Sequence, residues 1–162
     1  MKQSLVGVTG HRPHKFKHAD FAKTMCDDAV VIMKRHYGDT LCFNLGGCIG
    51  ADQWVGESCI ANSVKYNLFL PFPAEIQAEH WYDKQRDELL KQVSLCQSLN
   101  IAGPVYKIEN YLIRDRLIVD SSDFIVCFWE GAKFGGTYET IKYAVTNSKI
   151  VLNAMNDLSM VT

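Results

Sequence analysis

The sequence predicts an α/β fold: a single Rossmann-like, doubly wound, mostly parallel β-sheet flanked by helices. Two observations predict it. Short, almost continuously apolar runs of strand length recur along the chain, and amphipathic stretches of helical period separate them. Strands that helices cover on both faces need apolar side chains on both faces, which explains the continuous runs. Regular alternation of strand and helix is typical of right-handed crossovers in a parallel sheet.

The elements follow in chain order. The predicted strands are SLVGVTG (4–10), TLCFNLG (40–46), YNLFLPF (66–72), the weaker SLNIAG (98–103), FIVCFWE (124–130) and KIVLNAM (149–155). After the first strand, the apolar residues Phe21, Met25, Ala29, Met33 and Tyr37 recur near helical spacing and predict the first helix. Further helices are predicted from the GADQW segment, within 75–98, over 111–121 and over 137–147.

Length and charge limit the classes of function. The 162 residues, without repeats or low-complexity stretches, predict one domain over 1–162. Lysine and arginine number 17 against 18 acidic residues, so the formal charge of −1 provides no general field for nucleic acid or an anionic membrane. Neither partner is therefore expected, and any anion site must be local.

Six cysteines without a C-x-x-C pair indicate reduced core thiols rather than disulfides or zinc ligands. With no secretory signal and no membrane-spanning run, the sequence predicts a cytoplasmic protein. The histidines His11, His14 and His18 lack an adjacent acidic or cysteine partner, so no metal is predicted. No cofactor is predicted.

A first glycine-rich turn, NLGGCIGADQW, follows the second predicted strand. Ligands of open α/β sheets bind at the carboxyl ends of the strands, and the start of a helix favours an anion there. Gly46, Gly47 and Gly50 can therefore bring the backbone close to a phosphate, or they can serve a tight turn and close helix–strand packing. Asp52 can accept a ribose hydroxyl or simply cap the helix.

A second glycine-rich turn, EGAKFGGTYET, follows the strand over 124–130. Gly135, Gly136 and Thr137 form another strand-to-helix turn, in which Thr137 can cap the helix or bind a phosphate oxygen. Aromatic residues near the turns, Phe134 among them, can stack on a base or belong to the core.

Cations lie near the same predicted edge. The segment TGHRPHKFKH after the first strand contributes Thr9, Gly10, His11, Arg12 and Lys15, and Arg114 precedes the DSSDFIV run. Since arginine's planar guanidinium suits phosphate, we expect this loop and Arg114 to contact an anion rather than only to form a solvated basic surface.

Taken together, TGHRP, GGCIGADQW, RDRLIVDSSDFIVCFW and GGTYETIKYA, in this order, resemble the SLOG superfamily, most closely its small stand-alone YpsA-like members. The superfamily includes DprA, the LOG phosphoribohydrolases and ligand-sensing domains of bacterial immune effectors. The resemblance implies a Rossmann-like fold that binds a nucleotide or nucleotide-derived molecule, and a homo-oligomer.

The enzyme motif of LOG proteins, P-G-G-x-G-T-x-x-E, is altered here. The proline is missing, Thr140 stands at the position of the final glutamate, and Glu139 lies one residue earlier. The resemblance therefore favours a sensor or sponge for a nucleotide-derived signal, such as an ADP-ribose-type or cyclic nucleotide, with sequestration of an immune signal as an extension. The alternatives are LOG-like N-glycosidic cleavage of nucleoside monophosphates, with Glu139 as the catalytic residue, and DprA-like binding of single-stranded DNA.

Overall fold

The structure, a computed structural model, describes residues 2–162. Its strands are β1 (Ser4–Gly10), β2 (Leu41–Leu45), β3 (Lys65–Leu70), β4 (Ser98–Ile101), β5 (Phe124–Phe128), β6 (Val151–Asn153) and β7 (Ser159–Met160). Its α-helices are α1 (Ala19–Tyr37), α2 (Ala51–Ala61), α3 (Ala74–Gln77), α4 (Asp83–Leu95), α5 (Glu109–Asp120) and α6 (Gly136–Thr146). Short 3₁₀ turns cover Pro13–Lys15, Gly38–Thr40 and Ala154–Asn156.

The strands form one sheet of order β4-β3-β2-β1-β5-β6-β7. All neighbouring pairs are parallel except β6 and β7, which run antiparallel. The chain winds outward from β1 to β4, returns to pair β5 with the other side of β1, and continues to β6. The α/β Rossmann-like prediction is confirmed, and the strand order reverses between β1 and β5.

Two predicted elements differ in detail. The helix predicted within 75–98 is split into α3 and α4, with hydrogen-bonded turns between them; the N–H of Trp81, for example, donates to the Ala78 carbonyl. The two-residue strand β7 was not predicted, because so short a segment carries no periodic signal. The weaker strand candidate at 98–103 is confirmed as β4.

Apolar clusters cover the two faces of the sheet. The larger joins β1, β2 and β3 to α1, α2 and α4, and includes the fully buried Phe43, Leu68 and Leu89. The smaller joins β5 and β6 to α5 and α6 through residues such as Val119 and Ile141. Each fully buried side chain of this size stabilises the fold by about 1.5–3 kcal/mol, so the sheet is a rigid base for the loops at its edge.

A buried polar network fixes the position of α5 over the sheet. Asn67 donates from Nδ2 to Asn44 Oδ1 at 3.0 Å, and Asn44 donates from Nδ2 to Ser122 Oγ at 2.9 Å. Ser122, just after α5, donates to the Ile118 carbonyl. These bonds tie β2 and β3 to the end of the helix that carries Arg114 and Asp115.

No helix within residues 2–162 has the length and apolar content needed to cross a membrane. All six cysteines are free thiols.

Candidate functional site

A cavity of about 680 Å³ lies at the carboxyl end of β1, where the strand order reverses toward β5. This is the position at which open α/β sheets bind ligands, and the volume lies within the usual range of small-molecule sites, roughly 300–1,000 Å³. Its walls come from β1, the loop after β1, the start of α2, the loop before α5, α5 itself and the β5–α6 loop. The predicted site residues that line it are Thr9, Gly10, His11, Arg12, Asp52, Arg114, Gly135, Gly136 and Thr137.

The loop after β1 places two free cations on the cavity. A 3₁₀ turn begins after Arg12, and the N–H of Lys15 donates to the Arg12 carbonyl at 3.0 Å. Phe16 is buried and anchors the loop. Arg12 and Lys15 are exposed, and neither forms an ion pair within residues 2–162. Both charges are therefore available to an anion.

His11 lies deeper in the same loop, and its ring meets the edge of the Phe16 ring with centroids 5.4 Å apart. Burial, assisted by the charge of Lys15, lowers the pKa of His11, while Glu130 acts in the opposite direction. The imidazole is therefore predominantly neutral at pH 7 and can serve as a hydrogen-bond donor or acceptor.

The second glycine turn leaves the start of α6 open to the cavity. Gly135 has φ of +90°, which favours glycine, and a Cβ at Gly136 would meet no atom within 4 Å. Within residues 2–162 no side chain caps the helix, so the N–H groups of its first turn are open to a ligand. Lys15 Nζ lies 3.9 Å from the position of a Gly135 Cβ. The helix start and the Lys15 ammonium group give this part of the cavity, the Lys15–α6 end, a positive potential that suits an anion.

The first glycine turn has a different role. Gly46, Gly47 and Gly50 are buried and do not line the cavity. A Cβ at Gly47 would lie 2.8 Å from Leu70 Cδ2, and one at Gly50, where φ is +104°, would lie 2.5 Å from the His11 carbonyl oxygen. Of the two alternatives left open by the sequence, close packing is what the structure shows for these glycines, and their contact with a phosphate stays a prediction.

Asp52 lies in the first turn of α2 and faces the cavity, although it is only 8% exposed. Its Oδ2 accepts the N–H of Cys48 at 3.3 Å, and within residues 2–162 no group donates to its Oδ1. Burial raises the pKa of Asp52 from its ordinary 3.8 to about 6. The Arg114 cation opposes that rise, and the Asp115 carboxylate adds to it. Asp52 is a buried acid with one unpartnered oxygen.

Arg114 organises the wall beside Asp52 and is 4% exposed. Its Nη1 donates to the Gly46 carbonyl at 2.6 Å, and its Nε donates to Asp115 Oδ1 at 2.7 Å. Nη2 contacts Cys48 Sγ at 3.5 Å. With most of its five N–H donors engaged, Arg114 has little capacity left for phosphate. In the structure this arginine holds the wall together, and its contact with a phosphate stays a prediction.

The predicted catalytic residue Glu139 lies outside the cavity. Its side chain is 54% exposed and pairs with Lys142 at 3.1 Å. Thr140, at the position of the glutamate of the LOG motif, is buried and donates to the Gly136 carbonyl. The carboxylates that do line the cavity are Asp52, Asp115 and Glu130.

Several lining residues were not singled out by the sequence. Tyr106 and Tyr111 flank the Phe72 ring, with centroids 5.1 and 5.3 Å away, and both face the cavity. Phe134, 73% exposed on the opposite loop, is one of the aromatic residues considered for stacking. Of the acidic lining residues, Asp52 was singled out by the sequence, whereas Asp115 was not.

No group of three or more His, Cys, Asp or Glu side chains suited to a metal ion occurs in the described part of the chain.

Comparison with known proteins identifies the fold. No protein-family model matches the sequence, and no curated protein matches it. The structure is similar to DNA processing protein A (DprA) from Streptococcus pneumoniae, with a TM-score of 0.71 and 14% identity over 93% of this chain. The match covers 50% of that DprA chain, so the present chain spans about half of its length.

Two further solved structures are similar. DprA from Helicobacter pylori, described for its single-stranded DNA binding mode, gives a TM-score of 0.72 and 14% identity over 97% of this chain and 72% of that one. The structural genomics target TM1055 gives a TM-score of 0.61 and 16% identity over 93% of this chain and 72% of that one. These similarities confirm the DprA-like Rossmann fold that the resemblance to the SLOG superfamily implied.

Proposed function

We propose that the protein binds a phosphorylated, nucleotide-derived small molecule in the cavity beside β1. The observation that carries the proposal is the Lys15–α6 end of the cavity, where the uncapped start of α6 lies beside Lys15; Arg12, exposed on the same loop as Lys15, also lines the cavity. The chain as a whole has a formal charge of −1, so this local concentration of positive charge is not a by-product of a basic surface.

The rest of the cavity suits the other parts of a nucleotide. Tyr106, Tyr111 and Phe134 provide aromatic surface at which a base can stack, and a stacked base contributes about 1–3 kcal/mol of binding free energy. Aromatic residues that line a mainly apolar cavity with a few polar groups are typical of ligand recognition. The combination favours a molecule with both a phosphate and a base.

Capture without turnover fits the site better than LOG-like chemistry with Glu139, because that carboxylate is outside the cavity and paired with Lys142. The proposed role is therefore that of a sensor or sponge for a nucleotide-derived signal, including an ADP-ribose-type or cyclic molecule. Sequestration of an immune signal is one form of this role.

The test is mass spectrometry of the ligand that the purified protein retains after incubation with nucleoside monophosphates, ADP-ribose and cyclic ADP-ribose isomers. Recovery of one compound intact from heat-denatured protein supports capture. Lys15→Ala should then weaken its binding about 10-fold or more, as expected for loss of a hydrogen bond to a charged group. Lys91→Ala, an exposed position on α4, removes the same charge away from the cavity and serves as the control. Equal affinity of Lys15→Ala and the parent protein would contradict the proposed anion site.

A second candidate is hydrolysis of an N-glycosidic bond, and Asp52 is the observation that favours it. A buried carboxyl group whose pKa is about 6 can exchange a proton near neutral pH, as a general acid or base must. Accumulation of free base and ribose phosphate in the same incubation, abolished by Asp52→Asn, would establish this activity. Absence of free base at high protein concentration would exclude it for the compounds tested.

Binding of single-stranded DNA is the third candidate, and the described mode of the Helicobacter pylori protein motivates its test. Asp52 and Asp115 line this cavity and would repel a phosphate backbone that passed beside them. Filter retention of an oligonucleotide that falls steeply with salt would support DNA binding; no retention at low salt would exclude it.

A further inference from the structure

One part of the cavity is acidic. Asp52 reaches it from α2 and Asp115 from α5; Arg114 Nε donates to Asp115 Oδ1, and the Arg114 and Arg12 cations both oppose the rise in the pKa of Asp52. A Cβ at Gly46 would lie 2.9 Å from Arg114 Nη1 and 2.9 Å from Asp52 Oδ2, so the absence of a side chain there allows this close arrangement. The carboxylates are held in place before any ligand binds.

The two carboxylates have acceptor capacity that the protein does not use. Asp52 Oδ1 receives no hydrogen bond from residues 2–162, although the side chain is more than nine-tenths buried. Asp115 uses Oδ1 for Arg114 Nε and is 23% exposed. Asp52 Oδ1 is not one of the fully buried atoms without a partner, so it is open to the cavity. A ligand that donates to it gains a hydrogen bond to a charged acceptor.

Only some chemical groups of a ligand can donate a hydrogen bond to these carboxylates. A phosphate group offers only acceptor oxygens and negative charge, and carboxylates repel it. A hydroxyl group donates to a carboxylate in a short, strong hydrogen bond. In a nucleotide the ribose carries two adjacent hydroxyl groups, and the cavity is lined by two acidic side chains with unused acceptor capacity.

We infer that Asp52 and Asp115 accept hydrogen bonds from the 2′- and 3′-hydroxyl groups of a ribose, and that the cavity thereby selects ribonucleotides over 2′-deoxyribonucleotides. The inference rests on the function proposed above and adds the class of sugar. It also separates this site from recognition of DNA, because DNA lacks the 2′-hydroxyl group.

Calorimetric titration of matched pairs tests the inference. The probes are AMP, GMP, CMP and UMP with their 2′-deoxy counterparts, and the measured quantity is the ratio of the two dissociation constants within each pair. Loss of one hydrogen bond to a charged group predicts that the parent protein binds at least one ribonucleotide about 10-fold or more tightly than its deoxy partner. Because both members of a pair carry the same phosphate and nearly the same base, the ratio reports on the sugar.

Three variants separate the contributions. Asp52→Asn keeps an oxygen for the Cys48 N–H and removes the carboxylate, so the ratio should fall to about 3-fold or less. Lys15→Ala should weaken both members of a pair and leave the ratio unchanged. Asp28→Asn, an exposed position on α1, controls for the loss of one negative charge.

Each outcome decides the inference. Equal affinity for ribo and deoxy members in the parent protein overturns it and leaves the proposed function intact. An unchanged ratio in folded Asp52→Asn, verified by its thermal unfolding, also overturns it. If no mononucleotide in either series binds, the proposed function fails for this class of ligand and the inference fails with it. If selectivity follows the base rather than the sugar, the acidic wall recognises amino groups of a base instead.

Discussion

Asp52→Asn should make the protein more stable at neutral pH, and the gain should disappear in acid. The carboxyl group of Asp52 has a pKa of about 6 in the folded protein, against an ordinary value of 3.8. The folded state therefore holds this proton more tightly than the unfolded state. Stability is unaffected by the group below pH 3.8, falls as the pH rises toward 6, and stays lowered above that.

The size of the effect follows from the shift. The difference between 3.8 and about 6 corresponds to about 3 kcal/mol of unfolding free energy once the group is fully ionised, at about 1.4 kcal/mol per pKa unit. Between pH 4.5 and pH 8 the integrated change is about 2 kcal/mol. Asparagine has no titrating group, so its advantage over aspartate should grow by that amount across the same interval.

Urea unfolding of the parent protein, Asp52→Asn and the control Asp28→Asn at pH 4.5, 6 and 8 measures the effect. With a denaturant slope of about 2 kcal/mol/M for a protein of this size, the difference in midpoint between parent and Asp52→Asn should change by roughly 1 M. The pH-independent difference in unfolding free energy between a buried amide and a buried protonated acid is the same at each pH, so it cancels when the values at different pH are compared. A difference that stays within about 0.5 kcal/mol from pH 4.5 to pH 8 would refute the raised pKa on which the reasoning depends.

Five other substitutions test the remaining assignments. Gly50→Ala should destabilise the fold by at least about 2 kcal/mol, measured by thermal unfolding, because φ is +104° and the new Cβ would lie 2.5 Å from a backbone oxygen. Gly136→Ala places its Cβ in open space, so its stability in the same measurement should stay within about 1 kcal/mol of the parent. Arg114→Met should lower the unfolding free energy by about 3–5 kcal/mol, measured in urea, since it leaves a buried carboxylate network without its cation. Phe134→Ala should leave stability unchanged and weaken a nucleotide more than ribose 5-phosphate in calorimetry. Leu117→Asp, on the exposed apolar face of α5, should reduce the mass measured by light scattering if that face joins the predicted homo-oligomer.

The sequence was sufficient to predict the sheet and the edge of the sheet at which the cavity lies, because both depend on local patterns. Continuous apolar runs predicted β1 and β5, and the positions of polar loops after them predicted where the cavity lies. Asp52 was predicted correctly to lie in a first helical turn at that edge. Such inferences need only the periods of strands and helices and the rule for ligand sites in open sheets.

The separate roles of the two glycine turns could not be predicted in this way. Both place glycines between a strand and a helix, yet a Cβ at Gly50 would collide with the His11 carbonyl, whereas one at Gly136 would meet nothing. The difference arises from the loop after β1, which packs on the first turn and leaves the second open. A contact between segments this far apart in the chain leaves no local pattern.

The same limit explains the assignment of Arg114. An arginine near the functional edge suits phosphate as well as a buried carbonyl, and only the folded chain shows that its Nη1 is used by Gly46 and its Nε by Asp115. Glu139 illustrates the opposite case: a motif read along the sequence placed it at the site, and its position on α6 turns it toward Lys142 and solvent.

The energetic cost of Asp52 is itself an argument for a ligand. Within residues 2–162 the Asp52 side chain accepts one hydrogen bond, from the Cys48 N–H. The neutral oxygen of an asparagine could accept that hydrogen bond equally well. An aspartate performs the same task while lowering stability at neutral pH, because burial raises the pKa of its carboxyl group. Folding alone therefore gives no reason for a carboxylate here, whereas a molecule that donates to Oδ1 from within the cavity does. If Asp52→Asn proves more stable and loses the preference for ribose, then the carboxylate of Asp52 both lowers the stability of the parent protein and gives it its selectivity.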